Sequence, residues 1–379
     1  MQTTRYLFKP LKKSDTCWDI TKAYDGTIYV GACSEHTSGG IGVLVKFEPP
    51  SEGLEYVADM AQVTGETVGD THAPQGKIHL SLSPSREGLI YGSTHCTTPP
   101  AGDSMWDPWA MYMDARRCFL GAHLYRYDPK AGDMVDFGVV TPHEGVSLMM
   151  LDENVQRLFA VTYPRSHLFS WNLKGRDVVD YGRVSEHYVL AFVQYDEATI
   201  FFSDYYGRLM SLNPLENKVR SHDIQLTHPS YSGGMRNWMS HGLLGPDGWV
   251  YAGMYSYPNL IRFRPEKGRI LIEDLGPGLD GEPPEGEALS YAFTRGAPVG
   301  LIFKGETLYY AQLVYLGPKE IVGSYVASYD IGSGSKRLIG TLEQKGFRPL
   351  VWKGVPGDDG RLYWADFDAS PPSLWAVTV

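Results

Sequence analysis

The chain has 379 residues, with 34 Lys plus Arg against 44 Asp plus Glu and a formal charge of -10, a balance that repels a phosphate backbone and argues against nucleic acid as a partner. Hydrophobic residues make up 43% and charged residues 21%, without a low-complexity run, which excludes a disordered chain. The 42 Gly, 25 Pro, 25 Tyr and 9 Trp exclude a helical bundle and point to many short strands joined by tight turns.

The N-terminal segment, Met1 to Lys13, mixes charged and apolar residues and lacks an apolar run of signal-peptide length. Nowhere do about 18 apolar residues run together, so no membrane association is expected and the location is read as cytoplasmic. Tyr6, Leu7 and Phe8 read as a spare strand ahead of the first repeat. Cys17, Cys33, Cys96 and Cys118 lack the spacing of a metal knuckle and are too few to staple a chain this long, so they read as small buried hydrophobes.

From Cys17 onward one phrase recurs: an apolar run, a polar turn often containing Asp-Gly, a short run ending in an aromatic, a variable loop, and an apolar-aromatic strand ending near a turn. The aromatic anchor falls at Tyr29, Tyr91, Phe159, Phe201, Tyr251, Tyr309 and Tyr363, spaced by 42 to 68 residues. That is the period of a four-stranded propeller blade once loop insertions are allowed. The predicted fold is all-β, a seven-bladed β-propeller spanning residues 1–379 as one domain. A six- or eight-bladed count follows only if blade three or four is misparsed. Two stacked β-sandwiches would need a linker, and the Pro- and Gly-rich stretch Gly276 to Gly286 reads better as a long interblade loop. The last copy has one strand, Leu374 to Val379, after Tyr363; pairing it with the N-terminal strand closes the ring and removes exposed sheet edges.

In a propeller the first strand of each blade lines the central channel. The loop entering it and the loop between strands two and three open on one face, where ligands bind. Four residues past each anchor stand Cys33, His95, Tyr163, Tyr205, Tyr255, Leu313 and Phe367, and one residue earlier Ala32, Thr94, Thr162, Asp204, Met254, Gln312 and Asp366. In blade two, strands are expected at Ile78 to Ser83, Leu89 to Ser93, His123 to Asp128 and Met134 to Val139. This register sets His79 opposite His95, with Cβ atoms about 5 Å apart. Two facing imidazoles can share a proton, act as base and acid, or ligate a metal. The largest insertion, Cys96 to Gly121, carries Trp106 and Trp109, which read as a sugar-stacking surface or a lid over the histidines.

Blade three adds Tyr163, Arg165 and His167 in one loop, and blade five adds Arg236, Trp238, His241 and Tyr255. Arg295 and Arg348 enter blades six and seven. Four arginines from four blades, in an acidic protein, favour an anionic ligand, because guanidinium grips carboxylate bidentately. No phosphate-binding Gly-rich loop, nucleophile elbow or helical metal-protease histidine pair is present, which disfavours nucleotide chemistry and serine hydrolysis.

On Lys77-Ile78-His79-Leu80, Gly92-Ser93-Thr94-His95 and the Tyr163 to His167 loop, the sequence resembles the seven-bladed propeller carbohydrate lyases. These include the ulvan lyases and rhamnose-glucuronate lyases, with the related propeller α-rhamnosidases. The resemblance implies roles for His79, His95 and Arg165 in β-elimination at a uronic acid, with Tyr163 as the matching tyrosine, although it stands in the loop beside the arginine. The arginine, helped by Arg236, would neutralise the carboxylate. His95 or Tyr163 would take the C5 proton and His79 or its partner would protonate the departing oxygen. The expected partner is an anionic oligosaccharide.

Three rivals stand beside this reading. A glycoside hydrolase would use Asp204 and Asp366, although blades four and seven are far apart for the required separation. A metal-dependent lyase like the oligogalacturonate lyases would hold a divalent ion, manganese or calcium, on His79, His95, His241 and Gln312. A non-catalytic scaffold would only bind.

Overall fold

The computed structural model describes residues 1–9, 11, 13–66, 71–103, 110–175, 177–227, 237–279, 297–316, 320–367, 369 and 371–379. Its strands form seven four-stranded antiparallel sheets arranged as the blades of a β-propeller. Blade one runs through Thr16–Lys22, Ile28–Cys33, Val43–Glu48 and Gly53–Asp59. Blades two to six repeat the order, and blade seven takes Val351–Pro356, Leu362–Asp366 and Ser373–Thr378 from the C-terminus. Its fourth strand is Gln2–Leu7, which pairs with Ser373–Thr378 from Gln2 opposite Thr378 to Leu7 opposite Ser373. The ring therefore closes as the spare N-terminal strand implied. No helix among the described residues is long and apolar enough to cross a membrane.

The anchor aromatics pack between blades. Tyr29, Phe159, Phe201, Tyr251 and Tyr363 are at most 1% exposed, and Tyr91 is buried at 8%. Burial of this order contributes about 1.5–3 kcal/mol per large side chain and so fixes the repeat. Where neighbouring blades approach most closely, only glycine fits: a Cβ on Gly253 would collide with the Pro298 carbonyl oxygen. The four cysteines are free and buried.

Blade two departs from its predicted register. Its inner strand is confined to Ser83–Pro84, where six residues from Ile78 were expected, and its other strands are Ile90–Ser93, Gly121–Asp128 and Asp133–Pro142. The cause is competition for backbone groups. The Leu80 carbonyl accepts from Met149 N of blade three at 3.0 Å, and Leu82 N donates to Asp19 Oδ2 of blade one at 2.5 Å. Leu80 takes a φ of 40°, a left-handed value that breaks the ladder. The residue paired with His95 is Lys77, through two backbone bonds of 2.9 Å, and not His79.

A second feature recurs at the upper end of the inner strands. The register shifts between Cys17 and Asp19, Val146 and Leu148, Met239 and His241, Val299 and Ile302, and Val351 and Gly354. Such a bulge leaves a residue unpaired and re-aims its side chain. Trp18, Ser147, Ser240, the pair Gly300 and Leu301, and the pair Trp352 and Lys353 occupy these five positions, and Trp18, Ser147 and Trp352 matter to the site.

Candidate active site at the upper mouth

Two residues beyond Lys77, the His79 ring reaches back to His95, with centroids 5.1 Å apart and planes tilted by 53°. His79 Nδ1 lies 2.6 Å from the Ser147 carbonyl oxygen, which the bulge of blade three turns toward it. A carbonyl only accepts, so Nδ1 carries the proton and Nε2 holds the lone pair. His95 is fully buried, and neither of its ring nitrogens finds a hydrogen-bond partner among the described residues. Burial lowers His79 to about 3, with the Lys77 charge adding to the effect. Burial, then His79 and Lys77, holds His95 well below the usual histidine range. Both imidazoles are neutral at physiological pH.

Tyr163 stands edge-on to His95 at 5.2 Å and stacks on Tyr188 at 4.7 Å. Burial, with the neighbouring Tyr163, pushes the Tyr188 phenol well above 10, so it keeps its proton. Arg165 stands beside this group, 74% exposed, with Nη1 3.2 Å from Glu144 Oε1.

His79 also belongs to a closed circuit of aromatic rings around the mouth. Centroids run Trp18 to His79 at 4.8 Å, His79 to Tyr188 at 6.3 Å, Tyr188 to Trp238 at 5.9 Å and Trp238 to Tyr255 at 4.4 Å. Tyr255 to Trp352 at 5.9 Å and Trp352 to Trp18 at 5.3 Å complete it. Tyr205 stacks on Trp238 at 4.8 Å, and Phe367 packs on Trp18 and Trp352 at 5.4 and 5.6 Å. Below this circuit the channel holds a cavity of about 380 Å³, walled by inner-strand residues such as Leu82, Leu148, Ser240 and Lys353 and bordered by Tyr24 at the lower face.

Under Trp18 lies a buried ion pair. Lys77, 1% exposed, places Nζ 3.1 Å from Glu35 Oε1 and 5.2 Å from the Trp18 ring centroid. The Trp18 indole donates to Glu35 Oε2 at 2.8 Å. Burial alone would raise the Glu35 carboxyl, but Lys77 and the indole N–H hold it below the usual range.

Of the residues singled out in the sequence, His79, His95, Tyr163 and Arg165 come together, and Trp238 and Tyr255 join the aromatic circuit. His167 does not face the channel: it pairs in register with Arg183 of the outermost strand, and its ring lies 3.3 Å from Asp180. Arg348 is held by Glu343 at 2.9 Å. Arg236, Arg295, Trp106 and Trp109 lie outside the described residues, and Arg165 and Arg348, which lie within them, each face a carboxylate.

The set of metal ligands, His79, His95, His241 and Gln312, is not assembled. His241 packs on Trp352 at 4.8 Å with Nδ1 3.2 Å from Ser240 Oγ, and burial lowers it to about 3. Gln312 sits against Gly278 between blades five and six. Among the described residues no group of three or more His, Cys, Asp or Glu is placed to hold a metal ion. The two carboxylates of the hydrolase reading are committed elsewhere. Asp204 Oδ1 accepts from the backbone of Tyr206 and Arg208, and Asp366 accepts from Ser373 Oγ at 3.1 Å.

Trp18, Tyr188, Trp352 and the Lys77–Glu35 pair escaped the reading from sequence, which aligned second strands and not inner ones. A tryptophan among the first three residues of the inner strands in blades one and seven was the available signal. Trp352, 1% exposed, touches Trp18, His241, Tyr255 and Phe367. Trp352→Ala is expected to lower the unfolding free energy by about 3–5 kcal/mol, read from urea unfolding with an unchanged m-value.

No protein-family model and no curated protein matches the chain. Solved structures match in fold. A streptogramin B lyase superposes with a TM-score of 0.62 at 9% identity, covering 99% of this chain and 97% of that one. A catalytically inactive variant of virginiamycin B lyase from Staphylococcus aureus, with quinupristin, gives 0.62 at 9% identity, covering 100% and 99%. The WD40 repeats of RRP9 give 0.61 at 10%, covering 99% and 96%. The neighbours thus include both enzymes and WD40 proteins, and at these identities the likeness is one of fold.

Proposed function

We propose that the protein is a carbohydrate lyase that holds a uronate-bearing oligosaccharide at the upper mouth and cleaves it by β-elimination. The observation that carries this reading is His79, a neutral imidazole with Nδ1–H tied to the Ser147 carbonyl and its lone pair on Nε2, set within a wall of aromatic rings beside Tyr163. Aromatic faces bind the apolar faces of sugar rings. In the reaction, Nε2 of His79 takes the C5 proton, the C–H electrons form the C4=C5 double bond, and the C4–O4 bond breaks. The Tyr163–Tyr188 phenol pair, in which Tyr188 keeps its proton, supplies the proton to O4, and the products are an unsaturated uronate and a new hydroxyl end. Arg165 exchanges Glu144 for the substrate carboxylate and stabilises the charge that develops on it. His95, sealed beneath His79 and Tyr163, positions both and does not touch substrate. This reassigns the base from His95 or Tyr163 to His79.

Incubation with oligosaccharides containing glucuronate, galacturonate, iduronate or mannuronate, with and without Mn²⁺ or Ca²⁺, is expected to produce the ultraviolet absorbance of an unsaturated uronate. His79→Gln should reduce kcat by about 10²–10⁴-fold. New reducing ends without absorbance would establish hydrolysis instead, and no product from any of these substrates would overturn the proposal.

A further inference from the structure

On the lower face, away from the mouth, a groove of about 770 Å³ runs between blades four and five. One wall is the outermost strand of blade four, Lys218–Gln225, where Lys218, Arg220 and His222 alternate and all three face the groove. The other is the hairpin joining Tyr257–Glu266 to Arg269–Pro277, which contributes Lys267 and Arg269. The lining thus carries Lys218, Arg220, Lys267 and Arg269 against Glu216 and Glu266, in a chain of net charge -10. Lys218 pairs with Glu216 at 3.0 Å, and His222 Nε2 lies 2.8 Å from Ser211 Oγ. Arg220, Lys267 and Arg269 are exposed and make no ion pair among the described residues.

We propose that this groove binds an acidic peptide segment in extended conformation, laid along the free edge of blade four. The sheet ends at Lys218–Gln225, whose ladder with Arg208–Asn213 is regular from Lys218 to Ser221 before a bulge that includes Asp223 at φ 52°, so along Lys218 to Ser221 alternate residues turn their backbone groups away from the sheet, and an added strand would satisfy them. Side chains on such a strand repeat every second residue, about 6.6 Å apart, which is the period of Lys218, Arg220 and His222. Carboxylates on alternate residues therefore meet the cations of blade four in register, with Lys267 and Arg269 closing from the opposite wall. An anionic sugar fits less well, because the one aromatic ring other than His222 in the lining, Phe201, is 1% exposed and offers no stacking face. The inference is independent of the lyase reading, since the groove shares no residue with the mouth.

The test is fluorescence anisotropy of the full chain with a labelled eight-residue peptide of alternating Glu and Thr. Saturable binding is expected, weakened by raising salt. The double substitution Arg220→Glu and Arg269→Glu should weaken it about tenfold or more, while Arg337→Glu, on the outermost strand of blade six, leaves it unchanged. Thermal unfolding of both variants checks that the exposed substitutions leave the fold intact. Equal binding of a Lys-Thr peptide, equal loss with Arg337→Glu, or no loss with the double variant would overturn the proposal. So would a sulfated oligosaccharide that binds at these arginines when the acidic peptide does not.

Discussion

Acidification from pH 6.5 toward pH 3 should cost this protein about 4 kcal/mol of unfolding free energy per pH unit, through His79, His95 and His241. Each of the three is buried, and burial depresses its basicity, to about 3 for His79 and His241 and well below the usual range for His95. The sign follows from proton counting. Above pH 6.5 the imidazoles are neutral in both the folded and the unfolded chain, so they contribute no pH dependence. Below it the unfolded chain binds protons that the native state refuses, at about 1.4 kcal/mol per pH unit for each histidine, and the loss continues until the native groups titrate, near 3 for His79 and His241. Urea unfolding at intervals from pH 7.5 to 4.5 measures the slope. Three protons taken up per molecule is the expected result, and His241→Gln should remove about one third of it. A slope of one proton or fewer would show that these rings reach water. The same depression means that protonation of His79 places no limb near pH 6.5 on the activity profile of the proposed lyase.

Lys77→Met is expected to destabilise the fold by about 3–5 kcal/mol, because it leaves the Glu35 carboxylate buried without its cation. The pair is enclosed, with side-chain exposures of 2% and 17%, and Glu35 is held on its other oxygen by the Trp18 indole. Glu35→Gln should cost a comparable amount by stranding the amine. The double variant should be less destabilised than the sum of the two, since desolvation of both charges is then avoided. Additive losses would mean that the two groups do not act as a pair. The functional consequence is local, because Lys77 carries the two backbone bonds that fix His95, and His79 follows two residues later. In the Lys77→Met protein, loss of the proposed lyase activity with an intact circular-dichroism spectrum would connect the pair to the position of the imidazoles.

The architecture was legible because it is written in periodicity. Six of the seven aromatic anchors are buried and Tyr309 is half-buried, and the surplus strand at one end matches the strand missing at the other. Part of the site was legible for the same reason: second strands share a register, so counting four residues from each anchor finds His95, Tyr163, Tyr205, Tyr255 and Phe367. The hairpin also brought His79 toward His95, although the register that does so pairs Lys77 with His95.

What the linear order could not carry was set by contacts between blades. The inner strand of blade two is shortened because Met149 and Asp19, from its two neighbours, take its backbone groups. Trp18 and Trp352 reach the mouth because bulges turn them there, and a bulge appears in sequence only as one residue too many. Lys77 and Glu35 meet across 42 residues, and His167 is drawn outward by Asp180. Sequence by itself determined the seven blades, the closure of the ring and the residue types at the mouth, because burial of repeating aromatics depends on local spacing alone. Tertiary structure decided which side chains face one another and which stay neutral, because those outcomes depend on burial and on charges that distant segments bring into range.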